Sequence, residues 1–526
     1  MRTDAAPIRV DRARLKAASD RGTLLSLWGE LCPDTPAVIS DAGVRTFREL
    51  NARSNRLARA FRAAGLRAGD GVALVCSNRP EFVEVQQATA RTGLRLTPVN
   101  WHLGPEETRY ILDNCAAKVL IVDARFSETL QDPVVRSAGP VCRLSLGGDI
   151  AGFDDYEAFI APHSRDDIGD PCAGTEMMYT SGTTGRPKGV AFRAGPQGAY
   201  AVSTVKPAGY RAGMGHRHLC TGPLYHSAPL ITSMRIPLAC GAAVVLMDGW
   251  DAEQTLSLIE HHQVTHTHMV PTMFHGLLAL PDEVKTRYDL SSLQFVIHGA
   301  APCPLSVKRA MIDWWGPIIW EYYGATEGMA SLVDSQDWLE RPGTVGRPPG
   351  ADHVRVLDEA GQPCAPGEVG NIFIRSPAGG FRYHEDPAKT ESSFRGDHFT
   401  LGDVGYLDED GYLFLTDRSV DLIISGGVNV YPAATEARLL EHPEVEDAAV
   451  IGVPSEEWGE EVKAVVQLKS GSEGSPELAE ALVGFCRAAL ARYQSPRSVD
   501  FVVSLPRQDN GKLYKRELRE AYRRRS

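Results

Sequence analysis

MYTSGTTGRPKGV, residues 178–190, is the stretch that indicates the fold of this chain most clearly. Its hydroxyl side chains can donate hydrogen bonds, and its glycines leave backbone N–H groups accessible. A lysine adds one mobile positive charge. These are the groups that bind a polyphosphate. The order is not that of the G-x-x-x-x-G-K-[ST] loop, because a glycine follows the lysine. We therefore predict a phosphate-binding loop of another type, the alternative being an ordinary surface loop. The residues assigned to it are Thr180, Ser181, Gly182, Thr183, Thr184, Gly185 and Lys188.

Length, charge and cysteine usage narrow the class of protein. A chain of 526 residues is too long for one ordinary core, so two or more domains are expected. A net charge of −12 argues against non-specific binding to nucleic acid. The ten cysteines include no C-x-x-C pair, which indicates reduced thiols in a cytoplasmic protein. Residues 1–22 are polar, which predicts a loosely held arm without a signal peptide, and no apolar run suits integral membrane association.

Apolar runs alternate along the chain with stretches of helical spacing. This alternation predicts an α/β fold whose parallel sheets are covered by helices on both faces. The predicted helices include residues 47–64, 105–114 and 251–262. The predicted strands include residues 72–76, 119–122, 243–247, 295–297 and 372–374.

The pattern changes near Asp417. Residues 353–415 carry strand signals punctuated by glycine and proline, which predicts a twisted antiparallel sheet or a small barrel. Beyond them, helix and strand signals alternate over about 110 residues, which is enough for a small α+β domain. We therefore predict a large domain at residues 1–417 and a small one at residues 418–526.

Two segments in the middle of the chain have the character of site loops. His226 lies in GPLYHSAP, where two prolines predict an irregular loop. Alone, such a histidine is more often a hydrogen-bonded structural residue. HGAAP, residues 298–302, follows a predicted strand, and its small residues would let a flat ring approach the backbone. A tight turn is the plainer interpretation of the same residues.

EYYGATEG, residues 321–328, combines aromatic, small and acidic residues. Tyr323 offers a ring for stacking, and Gly324 leaves space for a ligand near the backbone. Glu327 is a hard oxygen ligand suited to Mg²⁺, although a lone glutamate is normally a surface charge.

Three further segments, in the last third of the chain, place charged residues or glycines at predicted turns. Asp403, in LGD, is a carboxylate that accepts hydroxyl groups well, and Arg418 ends the segment GYLFLTDR with a fork of donors. SGGVNVYP contains Gly426 and Gly427, which allow a close backbone approach. Lys512 follows an Asn-Gly turn, where a lysine is by default solvated.

Taken together, these segments resemble in order and spacing the motifs of adenylate-forming enzymes, the superfamily of acyl-CoA synthetases, firefly luciferase and peptide-synthetase adenylation domains. The sequences VNWHL, HGAAPCP and YYGATEG are most similar to those of bacterial fatty acyl-CoA and arylalkanoyl-CoA ligases. The resemblance spans nearly the whole chain. It implies a large α/β domain of two layered sheets with a distorted β subdomain, and a small mobile C-terminal α+β domain.

The resemblance implies a two-step reaction. A carboxylic acid attacks the α-phosphorus of MgATP to give an acyl-adenylate and pyrophosphate, and the thiol of CoA then displaces AMP. Lys512 and Thr326 are implied to stabilise charge at the α-phosphate. Glu327 and Thr184 are implied to hold Mg²⁺. His226 is implied to face the carboxylate or a phosphate.

The remaining implied contacts are with nucleotide, acyl group and CoA. The HGAAP turn backs the adenine, a carboxylate binds the ribose, and the glycine loop lies beside the pantetheine channel. The implied nucleotide contacts outside the phosphate loop are Gly299, Ala300, Ala301, Glu321, Tyr322, Tyr323, Gly324, Asp403 and Arg418, and Gly426 and Gly427 are assigned to the CoA step. The implied border of the acyl pocket is Tyr225, Ser227, Leu230, His298, Met329 and Ala330.

Three positions depart from the family pattern. Leu401 stands where threonine is usual, and Val428 replaces a common glutamate. Val420 occupies the usual charged or polar hinge position, which bears on the second step. It keeps open a carrier-protein thiol, an amine, or nitrite in a diazotase-type reaction as the acceptor. A luciferase-like oxygenase and a non-enzymatic sensor are further alternatives, although a sensor has no need of Lys512 and Glu327.

Two clusters invite other hypotheses. His261, His262, His266 and His268 suggest a metal, but no carboxylate or cysteine completes a set, so packing is preferred. The basic residues at 512–525 form either a solvated helix face or an attraction for a phosphate-rich cosubstrate. The expected partners are a small carboxylic acid and CoA, without nucleic acid, and both monomer and homodimer are open.

Overall fold

The computed structural model of the chain shows alternating helices and strands, which confirms the predicted α/β class. It describes residues 8–128, 139–140, 142–180, 187–192, 208–376, 380–418, 421–425, 428–455, 458–507 and 513–523.

The helices and strands are numbered in chain order. The α-helices are α1 (Arg12–Asp20), α2 (Leu24–Leu31), α3 (Phe47–Ala63), α4 (Pro80–Thr92), α5 (Pro105–Asn114), α6 (Tyr156–Ile160), α7 (Ile236–Ala239), α8 (Ala252–His262), α9 (Pro271–Leu278), α10 (Asp282–Lys285), α11 (Leu305–Trp315), α12 (Ser335–Glu340), α13 (Pro387–Ser393), α14 (Pro432–Leu440), α15 (Pro476–Arg487) and α16 (Lys515–Arg523), with a 3₁₀ turn at Ala124–Phe126 and a π-helix at Pro229–Arg235. The strands of the first half are β1 (Pro36–Ser40), β2 (Gly43–Thr46), β3 (Gly71–Val75), β4 (Arg95–Pro98), β5 (Ala117–Asp123), β6 (Cys142–Leu146), β7 (Asp154–Asp155), β8 (Thr175–Thr180), β9 (Lys188–Phe192), β10 (Arg217–Cys220), β11 (Ala243–Leu246) and β12 (His266–Met269). The strands of the second half are β13 (Phe295–His298), β14 (Ile319–Ala325), β15 (Gly328–Val333), β16 (Thr344–Gly346), β17 (Val354–Leu357), β18 (Gly370–Arg375), β19 (Phe381–Tyr383), β20 (Phe394–Arg395), β21 (His398–Phe399), β22 (Asp403–Leu407), β23 (Leu413–Arg418), β24 (Ile423–Ser425), β25 (Val428–Val430), β26 (Val445–Ser455), β27 (Gly459–Leu468) and β28 (Ser498–Val502).

The chain divides into two compact units that interleave in sequence. Unit 1 comprises Met1–Met269, Leu280–Ile297 and Ser376–Ser392, and unit 2 comprises Val270–Ala279, His298–Arg375 and Ser393–Ser526. The domain boundary predicted at residues 417/418 lies within unit 2 and stays a prediction.

Unit 1 contains two mainly parallel sheets. In the first sheet the strands of this unit have the order β13-β12-β10-β11-β1-β2, and β2 runs antiparallel to β1. In the second sheet the order is β19-β9-β8-β4-β3-β5-β6-β7, with β9 and β19 antiparallel at one edge. Strand β3 is buried at every position, as expected for a strand covered on both faces.

Helix α3 shows how local sequence builds this unit. The N–H of Glu49 donates to the hydroxyl of Thr46 at 3.2 Å, and the Glu49 carboxylate accepts from the N–H of Thr46 at 2.9 Å, which caps the helix reciprocally. Phe47, Leu50 and Phe61 then fall on one buried face. Burying each such side chain stabilises the fold by about 1.5–3 kcal/mol.

Unit 2 contains two further sheets. The strand order β16-β23-β22-β18-β21-β20, with β17 beside β18, is antiparallel throughout, which confirms the antiparallel sheet predicted over residues 353–415. The other sheet has the order β25-β24-β27-β26, with β28 parallel to β27. Leu439 of α14 and Leu482 of α15 are buried in the core of this sheet.

The loosely held arm predicted at the N-terminus is wrong for residues 12–20, which form α1. Asp11 caps this helix by accepting from the N–H two residues on, at 3.1 Å. Leu15 packs against the unit 1 core, and the N–H of Ile8 donates to the carbonyl of Ala212 at 2.8 Å. The polar composition of the segment concealed these few anchoring contacts.

In the described part of the chain, no helix combines the length and the apolar character needed to cross a bilayer. All ten cysteines are free thiols.

Candidate functional site

Strands β8 and β9 form the hairpin that carries the predicted phosphate loop. Thr180 ends β8, Lys188 begins β9, and the two are cross-strand partners. Both side chains are half-buried, and Nζ of Lys188 lies 5.9 Å from the centroid of the Tyr383 ring. The other predicted loop residues, Ser181, Gly182, Thr183, Thr184 and Gly185, lie outside the described residues, so their roles stay predictions.

Contacts from outside the hairpin hold both of its strands. The hydroxyl of Tyr179 donates to Oδ1 of Asn114 at 2.6 Å, and the Asn114 amide donates to Oε2 of Glu385 at 2.7 Å. On the other strand, the carbonyl of Gly189 accepts from the N–H of His384 at 2.8 Å. Burial raises the pKa of Tyr179, so its hydroxyl remains a donor at neutral pH. Groups from α5 and from the segment after β19 thus fix where the loop begins and ends.

His226 lies on a loop, as predicted, shortly before the π-helix at Pro229–Arg235. Its ring centroid is 4.6 Å from that of Tyr225. Tyr225 lies edge-on to Trp101 at 6.0 Å, and Trp101 stacks on Phe126 at 4.5 Å. We call Trp101, Phe126 and Tyr225 the aromatic cluster. It places apolar, polarisable surface next to an imidazole within unit 1.

The predicted adenine turn lies in unit 2, where β13 ends. A Cβ at Gly299 would lie 2.5 Å from Cε1 of Tyr322, so only glycine permits this approach. Ala300 has a φ of +66°, which costs about 1–2 kcal/mol for a residue other than glycine, and Ala301 beside it is half-buried. Gly324 is equally confined, since a Cβ there would lie 2.7 Å from the backbone of the facing strand.

Glu321 takes part in a buried ion pair. Its Oε2 accepts from Nζ of Lys308 at 2.5 Å, and Nε2 of His298 lies 3.7 Å from the same oxygen. Lys308 is completely buried, with Nζ 4.8 Å from the centroid of Trp338. Burial raises the pKa of Glu321 and lowers that of Lys308. The carboxylate is thus engaged with this lysine, and the nucleotide role of Glu321 stays a prediction.

Tyr323 and Asp403 are joined directly. The tyrosine hydroxyl donates to Oδ2 of Asp403 at 2.7 Å, and both side chains are buried. Asp403 is the cross-strand partner of Arg418 between β22 and β23. Glu327 is buried at the turn from β14 to β15, and Thr326 beside it is half-buried. Unit 2 therefore brings together the residues predicted for ribose and for the ring of the base.

The lysine predicted for the first step, the glycines predicted for the CoA step and the hinge position lie outside the described residues. These are Lys512, Gly426 and Gly427, together with the hinge position Val420, and their roles stay predictions. Val428, at the start of β25, is 43 % exposed.

The described residues on either side of Lys512 are held by hydrogen bonds. Arg507 and Leu513 form an antiparallel bridge on either side of it. The guanidinium of Arg507 donates to Oδ1 of Asp447 at 2.6 Å. The N–H of Tyr514 donates to the carbonyl of Pro506 at 2.8 Å. The described residues that flank the predicted catalytic lysine are therefore joined to each other and to strand β26, whereas Lys512 itself lies outside the described residues.

The basic tail has internal partners. Nζ of Lys515 lies 2.8 Å from the carboxylate of Glu436, and the Arg519 guanidinium lies 2.9 Å from that of Asp421. These two charges are neutralised within unit 2, which leaves them less available to a phosphate-rich cosubstrate.

The buried histidines of β12 serve packing, as preferred from the sequence. His266 stacks on Tyr210 at 4.0 Å, and its Nε2 donates to the carbonyl of Ala208 at 2.7 Å. Burial lowers the pKa of His266 and of His268 to about 4. Across the described residues, no group of three or more His, Cys, Asp or Glu is arranged to hold a metal.

Three supporting residues escaped prediction from the sequence: Asn78, Asn114 and Lys308. A signal existed for Asn78, because it follows a buried parallel strand, at the sheet edge where sites form. Asn114 ends a helix, and Lys308 meets a glutamate on another element, so neither has a local pattern that could have revealed it.

Two family models match the chain. The model of the AMP-binding enzyme family matches residues 27–383, and the model of the AMP-binding enzyme C-terminal domain matches residues 434–512. The chain is also similar to characterised proteins over nearly its whole length. It is 35% identical to a feruloyl-CoA synthase of Amycolatopsis sp., with 94% of this chain and 97% of that protein covered.

A second relative is a 2-succinylbenzoate–CoA ligase of Bacillus velezensis, 34% identical, with 93% of this chain and 96% of the relative covered. Among solved structures, an anthranilate CoA ligase in complex with anthranoyl-AMP superposes with a TM-score of 0.85 at 26% identity, covering 95% of this chain and 97% of the other. The resemblance to adenylate-forming enzymes and the predicted fold are thereby confirmed. The chain belongs to the AMP-binding enzyme family.

Proposed function

We propose that this enzyme activates an aryl or arylalkanoyl carboxylic acid and transfers the acyl group to CoA. The chain is an ATP-dependent, AMP-forming acid–thiol ligase of the acyl-CoA synthetase type. The aromatic cluster beside His226 is the observation that carries the acid class. The similarity to feruloyl- and 2-succinylbenzoate-activating ligases supports it. Acceptors other than CoA are not favoured, because these full-length relatives are CoA ligases.

The first step makes a mixed anhydride. A carboxylate oxygen of the acid attacks the α-phosphorus of ATP, and the bond to the β-phosphate oxygen breaks as pyrophosphate leaves. Thr180 and Lys188 bind the terminal phosphates through a hydroxyl and a positive charge. Lys512 and Thr326 stabilise the charge that develops at the α-phosphate.

The available donors fit Mg²⁺. The Glu327 carboxylate is buried beside the β14–β15 turn, and Mg²⁺ prefers such hard oxygen ligands together with substrate phosphates. Glu327 and Thr184 would hold the ion. When bound, it supplies positive charge to the phosphate oxygens.

The second step makes the thioester. The CoA sulfur attacks the acyl carbon, the carbon–oxygen bond to the phosphate breaks, and AMP leaves with that oxygen. His226 faces the reacting carboxyl group and orients it. Gly426 and Gly427 let the pantetheine arm lie against the backbone.

A panel of acids tests this function. Ferulate, indoleacetate, 2-succinylbenzoate and anthranilate are incubated with MgATP, with and without CoA, beside saturated fatty acids of several lengths. Mass spectrometry should show acyl-CoA and AMP for at least one aromatic acid, and only when CoA is present. Preference for the fatty acids would contradict the acid class, whereas turnover without a thioester product would contradict the acceptor.

A further inference from the structure

We propose that Asn78 is a positioning residue for the loop at residues 222–226, which carries Tyr225 and His226. The inference rests on the proposed role of His226 at the acyl carboxylate. Asn78 need not touch the substrate, since it acts through the course of this loop.

The side-chain amide of Asn78 is buried and fully used. Its Oδ1 accepts from the N–H of Leu224 at 2.9 Å. Its Nδ2 donates to the carbonyls of Gly222 and Met247, each at 2.9 Å. One acceptor and two amide hydrogens thus meet three backbone groups, which only an asparagine-like amide can satisfy together.

These three bonds join the two sheets of unit 1. Asn78 follows β3 of the second sheet, whereas Gly222 follows β10 and Met247 follows β11 of the first. Binding sites of parallel sheets form beyond the carboxyl ends of their strands. A single amide therefore sets the course of the loop relative to both sheets at the edge where a ligand binds.

The path from Asn78 to His226 is short and constrained. The N–H of His226 donates to the carbonyl of Pro223 at 3.1 Å, so the turn is closed once Leu224 is held. A Cβ at Gly222 would lie 2.7 Å from Cγ of Pro229, so a side chain at this position would collide with the proline ring. Loss of the amide should shift the histidine without removing it.

Asn55 provides a matched control. It is also buried in unit 1, and its Nδ2 donates to the carbonyl of Arg165 at 3.1 Å and to Asp167 at 2.7 Å, while its Oδ1 accepts from Arg91. Asn55→Ala and Asn78→Ala therefore each lose three hydrogen bonds, although two partners of Asn55 are charged side chains and all three partners of Asn78 are backbone groups. Only Asn78 contacts the loop.

The experiment measures ATP–pyrophosphate exchange with the best acid of the panel, for wild type, Asn78→Ala, Asn55→Ala and His226→Ala. Urea unfolding of each variant reports its stability. Asn78→Ala should lose about tenfold or more in kcat/KM for the acid, with little change in KM for ATP. The exchange rate of Asn55→Ala should stay near that of wild type although its loss of stability is at least as large, because two of its lost partners are charged.

Each outcome decides a separate question. If Asn78→Ala and Asn55→Ala lose exchange in equal proportion while His226→Ala is impaired, the positioning role is overturned and the function stands. If His226→Ala exchanges like wild type, the role of the loop fails, and that of Asn78 fails with it. If the wild-type enzyme shows ATP–pyrophosphate exchange with none of the acids in the panel, the proposed function is wrong.

Asn78→Asp gives a readout that a purely structural role would not move. The new carboxylate keeps the acceptor for Leu224, but when ionised it faces the carbonyls of Gly222 and Met247. Burial and those carbonyls raise the pKa of the introduced carboxyl group, and its protonated form donates to one of them.

The ratio of the ATP–pyrophosphate exchange rate of Asn78→Asp to that of wild type should therefore rise as the pH falls from about 8 to about 6. The thiol of Cys220 lies 4.0 Å from the amide, and burial raises its pKa to about 12, so it stays neutral over this range. The charged groups next in sequence to Asn78 and Met247 are already paired, Arg79 with Glu81 and Asp248 with Arg125. A ratio that is low and independent of pH would overturn the inference.

Discussion

At the scale of single residues, the proposed nucleotide site depends on a hydrogen bond by which one tyrosine orients one carboxylate. Tyr323 donates to Asp403 in a buried environment, where a hydrogen bond to a charged group is worth about 1.5–3 kcal/mol. The same bond restricts the orientation of the Asp403 carboxylate. A phenylalanine would keep the ring for stacking and remove only the orientation.

Tyr323→Phe should therefore raise KM for ATP by about tenfold, as expected for loss of a charged hydrogen bond, with a smaller effect on KM for the acid. Initial rates at varied ATP measure this. Tyr156→Phe is the control, because it loses a buried hydroxyl contact with Glu84 in unit 1. An unchanged KM for ATP in Tyr323→Phe would contradict the role of Asp403 at the ribose.

Lys512→Ala should reduce ATP–pyrophosphate exchange by at least about a hundredfold, because it removes a charge placed at the transition state. Lys515→Ala removes a neighbouring lysine that is paired with Glu436, so exchange should stay near wild type. Exchange close to the wild-type rate in Lys512→Ala would refute the assignment of this lysine.

At the scale of elements, the helices and strands predicted from hydrophobic periodicity agree with those in the structure. The helix predicted at residues 105–114 is α5, and the strand predicted at residues 295–297 is β13 with one residue added. The ends of the other predicted helices and strands differ from the observed ends by at most two residues. The pair of Lys308 and Glu321 could not be predicted, because it joins helix α11 to strand β14 and neither residue has an unusual neighbourhood in sequence.

Lys308→Met should lower the free energy of unfolding by about 3–5 kcal/mol, because it leaves the Glu321 carboxylate buried without its partner. Adding Glu321→Gln should restore most of this loss. Urea denaturation followed by fluorescence measures both variants. Lys285→Met, which removes an exposed bridge to Asp282, should change the free energy by less than about 1 kcal/mol. Equal losses in the single and double variants would show that the charge is not the cause.

At the scale of the whole molecule, strand order and the interleaving of the two units could not be predicted from the sequence. Residues 270–279 belong to unit 2, although the residues on both sides belong to unit 1. Such membership depends on packing between distant segments. The motif residues, by contrast, were predictable because each has a distinctive chemistry. Whether residues 417/418 separate two domains stays a prediction.

Stability of the whole molecule should decline in mild acid. Burial holds the pKa of His266 and of His268 at about 4, below the ordinary value of 6.5. Between these values the unfolded chain binds more protons than the folded one, so stability rises with pH through this window and is lost as the pH falls. At pH 5 these two histidines together lower the free energy of unfolding by about 4 kcal/mol relative to neutral pH.

Urea midpoints at pH 7.5 and pH 5 measure this loss. His266→Gln should reduce the difference between the two pH values without abolishing it, since His268 and His218, whose pKa values burial also lowers, remain. His261→Gln, at an exposed position, should leave it unchanged. A midpoint that does not depend on pH would contradict the burial argument.

The amide bridge from Asn78 to the first sheet has a practical consequence for enzyme engineering. Libraries meant to broaden the range of accepted acids would randomise Tyr225, Ser227 and Leu230. Such libraries should hold Asn78 constant, because every clone then inherits the same main-chain route past the histidine. Changes in activity among those clones would report the shape of the new side chains and little else.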